Sequence, residues 1–179
     1  MRGYFGIGVD GISKEMNLGN LFRSAHGFNA SFVFTVNAAF NPKRAHSDTS
    51  DTPGQVPLYQ FDDATSLSLP HGCRLVGIEL LDEAADLPSF RHPSQAAYVL
   101  GPERGSLSPA LVERCEFVVR IPTKFCINVA TAGAIIMYDR LISLGRFARR
   151  PVAPGGEPEA LPVHVAGDLK VRKPKVSVT

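Results

Sequence analysis

The sequence predicts an α/β fold with a mostly parallel sheet flanked by helices. Two observations predict it: short runs of β-branched and aromatic residues bounded by Gly, Pro or Asp, and helix-period apolar patterns lying between those runs. Strand and helix alternate along the chain, and such alternation favours parallel strands covered on both faces, with ligands beyond the carboxyl ends of the strands.

The first strand is read at Tyr4–Val9. A helix follows in which Leu18, Leu21, Phe22 and Ala25 recur at i, i+3, i+4 and i+7, with Asn17 as a candidate N-cap and Gly27 as a candidate C-cap. Phe32–Val36 is the second strand. Residues 40–57, with Pro42, Pro53, Gly54 and Pro57 around a polar Ser-Asp-Thr-Ser-Asp-Thr stretch, have no periodicity and read as a long loop. Further strands are read at Arg74–Ile78, Ala96–Leu100 and Phe117–Ile121, with a helix beginning near Ser108. The strongest helix runs from about Ile127 to Gly145. One stripe of it carries Ala130, Ala134, Met137 and Leu141, another Ile127, Thr131, Ile135, Tyr138 and Ile142, so it reads as largely buried.

With 44% hydrophobic and 20% charged residues, the composition excludes disorder throughout, and 179 residues suffice for a core without staples. Cys73, Cys115 and Cys126 are odd in number and form no C-x-x-C pair, so neither a disulfide framework nor a zinc site is indicated and a reducing, cytoplasmic setting fits. No leader pattern and no apolar run of about 20 residues appears, which argues against secretion and membrane insertion. The net charge of +2 divides unevenly. Residues 146–179 hold seven Lys/Arg and three Asp/Glu, a balance of +4, which leaves residues 1–145 at −2. The expected organisation is a folded domain over 1–145 and a basic, Pro/Gly-rich, flexible tail over 146–179.

Three stretches carry chemistry. In Asn17-Leu-Gly-Asn-Leu-Phe-Arg23, Asn20, Arg23 and Ser24 share the face opposite the apolar stripe, where a guanidinium and free backbone N–H groups can meet a phosphate. Alone, it is better described as a capped amphipathic helix with a solvated arginine. Tyr98-Val-Leu-Gly-Pro-Glu-Arg-Gly-Ser106 leaves a buried strand through two glycines, which let a ligand approach the backbone and place Glu103 at the strand's carboxyl end. Alone, it is also an ordinary strand-ending turn. The third stretch, Arg120 to Asp139, ends a strand at Pro122 and starts a small-residue helix near Asn128, with Lys124 and Cys126 beside it. An ordinary buried helix with an asparagine cap is the competing description.

Together, in this order and spacing, the three resemble the motifs of the SpoU (TrmH) branch of the SPOUT RNA methyltransferases: N-x-G-N-x-x-R, G-P-E-x-x-G, and I-P followed by an N-V-A helix. The match spans about Tyr4 to Gly145 and resembles the minimal, single-domain form. The resemblance implies a deep trefoil knot on the C-terminal side of the domain, S-adenosylmethionine as cofactor, and transfer of its methyl group to a ribose 2′-hydroxyl of tRNA or rRNA by a homodimer whose interface includes the first and last helices. It assigns catalytic roles to Asn17, Arg23, Glu103 and Asn128. It places the cofactor near Gly77 and Ile78, at Leu100 and Gly101, and along Ile121, Pro122, Cys126 and Ile127. No metal is implied. Two departures stand out: only Thr123, Lys124 and Phe125 separate the Ile-Pro pair from Cys126, and Cys126 occupies a position where relatives carry serine, a stronger hydrogen-bonding partner.

Methylating a hydroxyl requires removal of its proton and in-line placement, so positioning and one base carry the chemistry. Arginine is a poor base; the resemblance implies that a substrate phosphate helps Arg23 accept the proton, and action by orientation and charge alone is the alternative. The runner-up is a catalytically silent RNA-binding protein on the same scaffold. A nucleotide-binding Rossmann protein is disfavoured, because neither G-x-G-x-x-G after the first strand nor a Walker lysine is present.

Overall fold

The computed structural model describes residues 3–41, 52–102 and 104–163. Glu103, most of the 40–57 stretch and the end of the basic tail, with Lys170, Arg172, Lys173 and Lys175, lie outside the described residues.

Residues 1–146 form one compact unit. Its elements run β1 (Tyr4–Asp10), α1 (Glu15–Gly27), β2 (Phe32–Val36), a single turn α2 (Thr52–Gln55), β3 (Leu58–Phe61), β4 (Arg74–Ile78), β5 (Ala85–Asp86), β6 (Gln95–Leu100), α3 (Pro109–Arg114), β7 (Phe117–Arg120) and α4 (Val129–Leu144). The seven strands form one sheet in the order β3-β2-β1-β6-β4-β7-β5. Every neighbouring pair is parallel. After β4 the chain goes out to the edge at β5, returns to fill the slot between β1 and β4 with β6, then fills the slot between β4 and β5 with β7.

The five strands read from sequence are present, and two more lie at the sheet's margins. β3 and β5 are edge strands whose outward residues are exposed, so neither presents the continuous apolar run that marks a strand buried on both faces. The inner strands separate two cores. One face packs Ile7, Val9, Val76 and Tyr98 against α1 and α4, and the other packs Phe34, Leu75 and Val99 against Leu107 and Leu111 at α3.

Helix α1 buries Leu18, Leu21, Phe22 and Ala25, the stripe its periodicity predicts. Its ends differ from the sequence reading. Asn17 is not the N-cap: Asn17 N–H and Leu18 N–H both donate to the Lys14 carbonyl, so the helix starts at Glu15 and Asn17 already sits in the first turn. Nor is Gly27 the left-handed C-terminal residue. Asn29 takes that role at φ 60°, with Ala30 N–H on the Ala25 carbonyl and Asn29 N–H on the His26 carbonyl, a Schellman closure that asparagine tolerates.

Helix α4 also departs from expectation. Its buried arc holds Val129, Ala132, Gly133, Ile136, Met137 and Arg140, whereas Thr131, Ile135, Tyr138 and Ile142 are exposed. Almost every position of this helix is apolar or small, so periodicity alone does not select the face. Contact with α1 selects it: a Cβ at Gly133 would collide with Leu21, and glycine lets the two helices close.

The second unit, Phe147–Thr179, shows neither helix nor strand among its described residues; a turn at Gly155, with Gly156 N–H on the Ala153 carbonyl, is its local order.

Candidate active site

The carboxyl ends of β4, β6 and β7 and the first turns of α1 and α4 surround an open cleft of about 330 Å³. Its walls are apolar at Ile78, Leu100, Ile121, Ile127 and Val129, and bare backbone at Gly101 and Gly105. Lys14, Asn17, Glu79, Thr123, Cys126 and Asn128 bring polar atoms. A parallel sheet produces this arrangement, because its strands all deliver their following loops to one edge.

Asn128 joins two helices at the cleft. Its Oδ1 accepts from the N–H groups of Ala130 (2.9 Å) and Thr131 (3.4 Å), capping α4, while its Nδ2 donates to Asn17 Oδ1 at 3.0 Å. One carboxamide therefore fixes the start of α4 and ties it to the first turn of α1. The two asparagines are 111 residues apart in sequence and adjacent in space. Position 17 was read as a cap; its role in the structure is to receive this bond.

Of the residues assigned to the cofactor, Ile78, Leu100, Gly101, Ile121, Cys126 and Ile127 line the cleft. Gly77 and Pro122 do not. Gly77 faces α3, where a Cβ would stand 3.0 Å from Cys115 Sγ and 3.1 Å from Leu107, so packing accounts for a glycine there. Pro122 is exposed on the loop after β7. Arg23 is exposed on α1, six residues beyond Asn17, which at 1.5 Å per residue places it about 9 Å along the helix from the cleft, outside its lining. Glu103 lies outside the described residues. Lys14 and Glu79 stand outside every stretch singled out by sequence, whereas Thr123 falls within the 121–127 loop assigned to the cofactor. Glu79 had one available signal, a lone carboxylate directly after a buried strand.

Beneath the opposite end of the sheet lies a second polar cluster that no motif announced. Arg140, fully buried, donates to the carbonyls of Pro93 (2.5 Å), Ser94 (2.8 Å) and Tyr4 (3.1 Å) and to Tyr98 Oη (3.1 Å), and its guanidinium lies over the rings of Phe5 and Tyr98. Tyr98 Oη contacts His92 Nδ1 at 2.6 Å, and His92 Nε2 contacts Asp139 at 2.9 Å. Because Arg140 donates into the Tyr98 hydroxyl, the hydroxyl proton goes to His92 Nδ1, which leaves His92 neutral with its proton on Nε2, donated to Asp139. Burial accordingly holds His92 below its ordinary pKa against the pull of Asp139, and burial pushes Tyr98 up to about 12.

Comparison with known proteins places this geometry. The family model described as the SpoU rRNA methylase family matches residues 5–138. The mouse tRNA (guanosine(18)-2'-O)-methyltransferase TARBP1 is 25% identical over 137 residues, which cover 72% of this chain and 9% of that protein. Among solved structures, the SpoU methyltransferase AviRb from Streptomyces viridochromogenes in complex with the cofactor AdoMet superposes with a TM-score of 0.69 at 23% identity, over 82% of this chain and 60% of that one. The A. aeolicus TrmH/SpoU tRNA modifying enzyme gives a TM-score of 0.66 at 19% identity, over 78% of this chain and 74% of that one. The chain thus spans under a tenth of the curated relative and about three fifths of the AviRb chain.

Proposed function

This chain belongs to the SpoU rRNA methylase family, and we propose from that premise that it transfers a methyl group from S-adenosylmethionine to a ribose 2′-hydroxyl of RNA. The observation that carries the reading is the cleft at the carboxyl edge of the sheet, closed by the Asn17–Asn128 pair and lined by residues from all three motif stretches.

The residues present suit the cofactor. Apolar walls at Leu100, Ile121 and Ile127 accept a base, and exposed backbone around side-chain-free Gly101 and Gly105 offers hydrogen bonds to its polar edges. When bound, the cofactor supplies an electrophilic methyl on a sulfonium. The protein's part is placement: Asn128 and Asn17 hold the two helix starts that frame the cleft, and Arg23 binds the RNA phosphate and the reacting ribose, orienting the hydroxyl and easing loss of its proton.

The active form is a homodimer. Met16 on α1 and Ile135, Tyr138 and Ile142 on α4 are apolar side chains left exposed on two helices that pack together, which favours cover by a second copy. Since Arg23 stands away from its own cleft, the reading has it serve the cleft of the partner. The insertion of β6 and β7 between earlier strands fits a trefoil knot formed by the segment after β4. The basic tail adds phosphate contacts, and the enzyme works in the cytoplasm on tRNA or rRNA. No helix among the described residues is long and apolar enough to cross a membrane. The name of the mouse relative makes tRNA the first substrate to try.

Calorimetry with S-adenosylmethionine, followed by mapping of 2′-O-methyl sites in RNA from a deletion strain and its parent, tests the reading. Micromolar-range cofactor binding and the loss of one or more sites are expected. Absence of cofactor binding, or an unchanged methylation map, overturns it.

A further inference from the structure

We infer that Asp10 and Glu79 are positioning residues that clamp the chain after β6 in the shape the cofactor requires. The inference rests on the reading above for the identity of the ligand. The clamp itself rests on register and hydrogen bonds.

β6 lies between β1 and β4, with Leu100 in register with Val9 on one side and Ile78 on the other. The next residue of each strand is therefore level with Gly101: Asp10 on one flank, Glu79 on the other. Side chains at one level of a parallel sheet share a face, and both carboxylates reach the chain that returns over this face toward α3. Glu79 Oε2 accepts from Leu107 N–H at 2.7 Å, and Asp10 Oδ2 accepts from Ser108 N–H at 2.9 Å. Two flanking strands thus hold consecutive amides of one dipeptide.

Gly101 makes the return possible. A Cβ there would stand 3.0 Å from Leu107 N and 3.3 Å from Glu79 Oε2, so a side chain at this position would make the returning amide or its acceptor give by a few tenths of an ångström. Leu107 is buried against the α3 core, and Gly101, Pro102 and Gly105 line the cleft. Charge-assisted bonds to backbone N–H groups are among the stronger hydrogen bonds, and here they set backbone shape before any ligand arrives, which lowers the ordering cost of binding. Glu79 Oε1 also accepts from Leu80 N–H at 2.9 Å, so both its oxygens are committed.

The test uses the full chain and S-adenosylmethionine itself, with Asp10→Ala, Glu79→Ala, the double variant, and the conservative Asp10→Asn and Glu79→Gln. Each alanine should weaken cofactor binding by about tenfold, the scale of one hydrogen bond to a charged group. The KM for cofactor should rise more than kcat falls. Asp10→Asn, which keeps an oxygen for Ser108, should recover binding to within about twofold of the unmutated protein. Glu79→Gln, with one acceptor for two amides, should fall between Glu79→Ala and the unmutated protein. Hydrogen exchange without cofactor should show Leu107 and Ser108 amides losing protection in the alanine variants while Val33, in a distant strand, keeps its own. If the unmutated protein binds cofactor and the double variant binds within twofold of it, or if exchange at Leu107 and Ser108 is unchanged, the clamp is overturned and the functional reading stands. If the unmutated protein fails to bind, the functional reading falls and the cofactor role of the clamp falls with it.

Discussion

Replacing Arg140 by Met tests how a fully buried cation is held when no carboxylate among the described residues pairs with its guanidinium. Four oxygens receive its hydrogens, three of them backbone carbonyls and the fourth Tyr98 Oη. Methionine fills much of the volume but donates nothing, so four acceptors lose a charged partner. The Ser94 carbonyl keeps Tyr4 N–H, so three acceptors are orphaned; at about 1 kcal/mol each, the low end for a buried group, the cost is about 3 kcal/mol, in line with breaking a buried charged network. The 146-residue folded unit has an unfolding entropy of about 0.3 kcal/mol/K at about 2.1 cal/mol/K per residue, which converts that loss to a Tm lower by about 10 °C. Arg140→Lys should recover less than half, because a compact ammonium cannot reproduce a planar fork reaching four oxygens. The cluster contacts the start of β1, at Tyr4, whereas the cleft lies at the strands' other ends, so cofactor affinity at 15 °C should be unchanged. Differential scanning calorimetry with parallel binding titrations decides it. A Tm within 3 °C of the unmutated protein would refute the argument.

Arg23→Ala should leave stability within about 0.5 kcal/mol and S-adenosylmethionine affinity unchanged, yet lower single-turnover methylation about 100-fold or more; near-normal turnover would remove Arg23 from the site. Asn128→Ala should cost about 1–2 kcal/mol in urea denaturation by uncapping α4, and Asn128→Asp should restore most of that stability without restoring the bond to Asn17. Because burial depresses the pKa of His92, the unfolded chain takes up a proton near pH 6.5 before the folded one does, so Tm should fall as pH drops through 6.5 and the fall should flatten in His92→Gln; an unaltered slope would contradict the neutral assignment. Cys126→Ser should remain active, since Cys126 lines the cleft and methyl transfer to oxygen needs no thiol nucleophile; inactivity with intact cofactor binding would count against this.

Features under local control are legible in the residues alone. Runs such as Phe32–Val36 and Ala96–Leu100 are buried on both faces and could be strands only in a covered parallel sheet, and the Leu18, Leu21, Phe22, Ala25 stripe has one face to bury. Motif spacing likewise located most of the cleft's lining, because β6 and β7 each deliver their next residues to the same edge. Tertiary structure decided what depends on a partner remote in sequence. Asn17 looks like a helix cap until Asn128 arrives from 111 residues away, and the buried face of α4 is ambiguous until Leu21 meets Gly133. Nothing in the sequence sets Arg140 apart; its role appears when Pro93, Ser94, Tyr4 and Tyr98 surround it. Asp10 and Glu79 carry no motif, and their pairing appears only when β6 is inserted between β1 and β4 and brings Leu107 and Ser108 within reach. For the polar residues among these the cause is shared: a polar group's role is set by which donor or acceptor satisfies it once water is removed, and in a sheet whose later strands fill earlier gaps that partner is rarely a sequence neighbour.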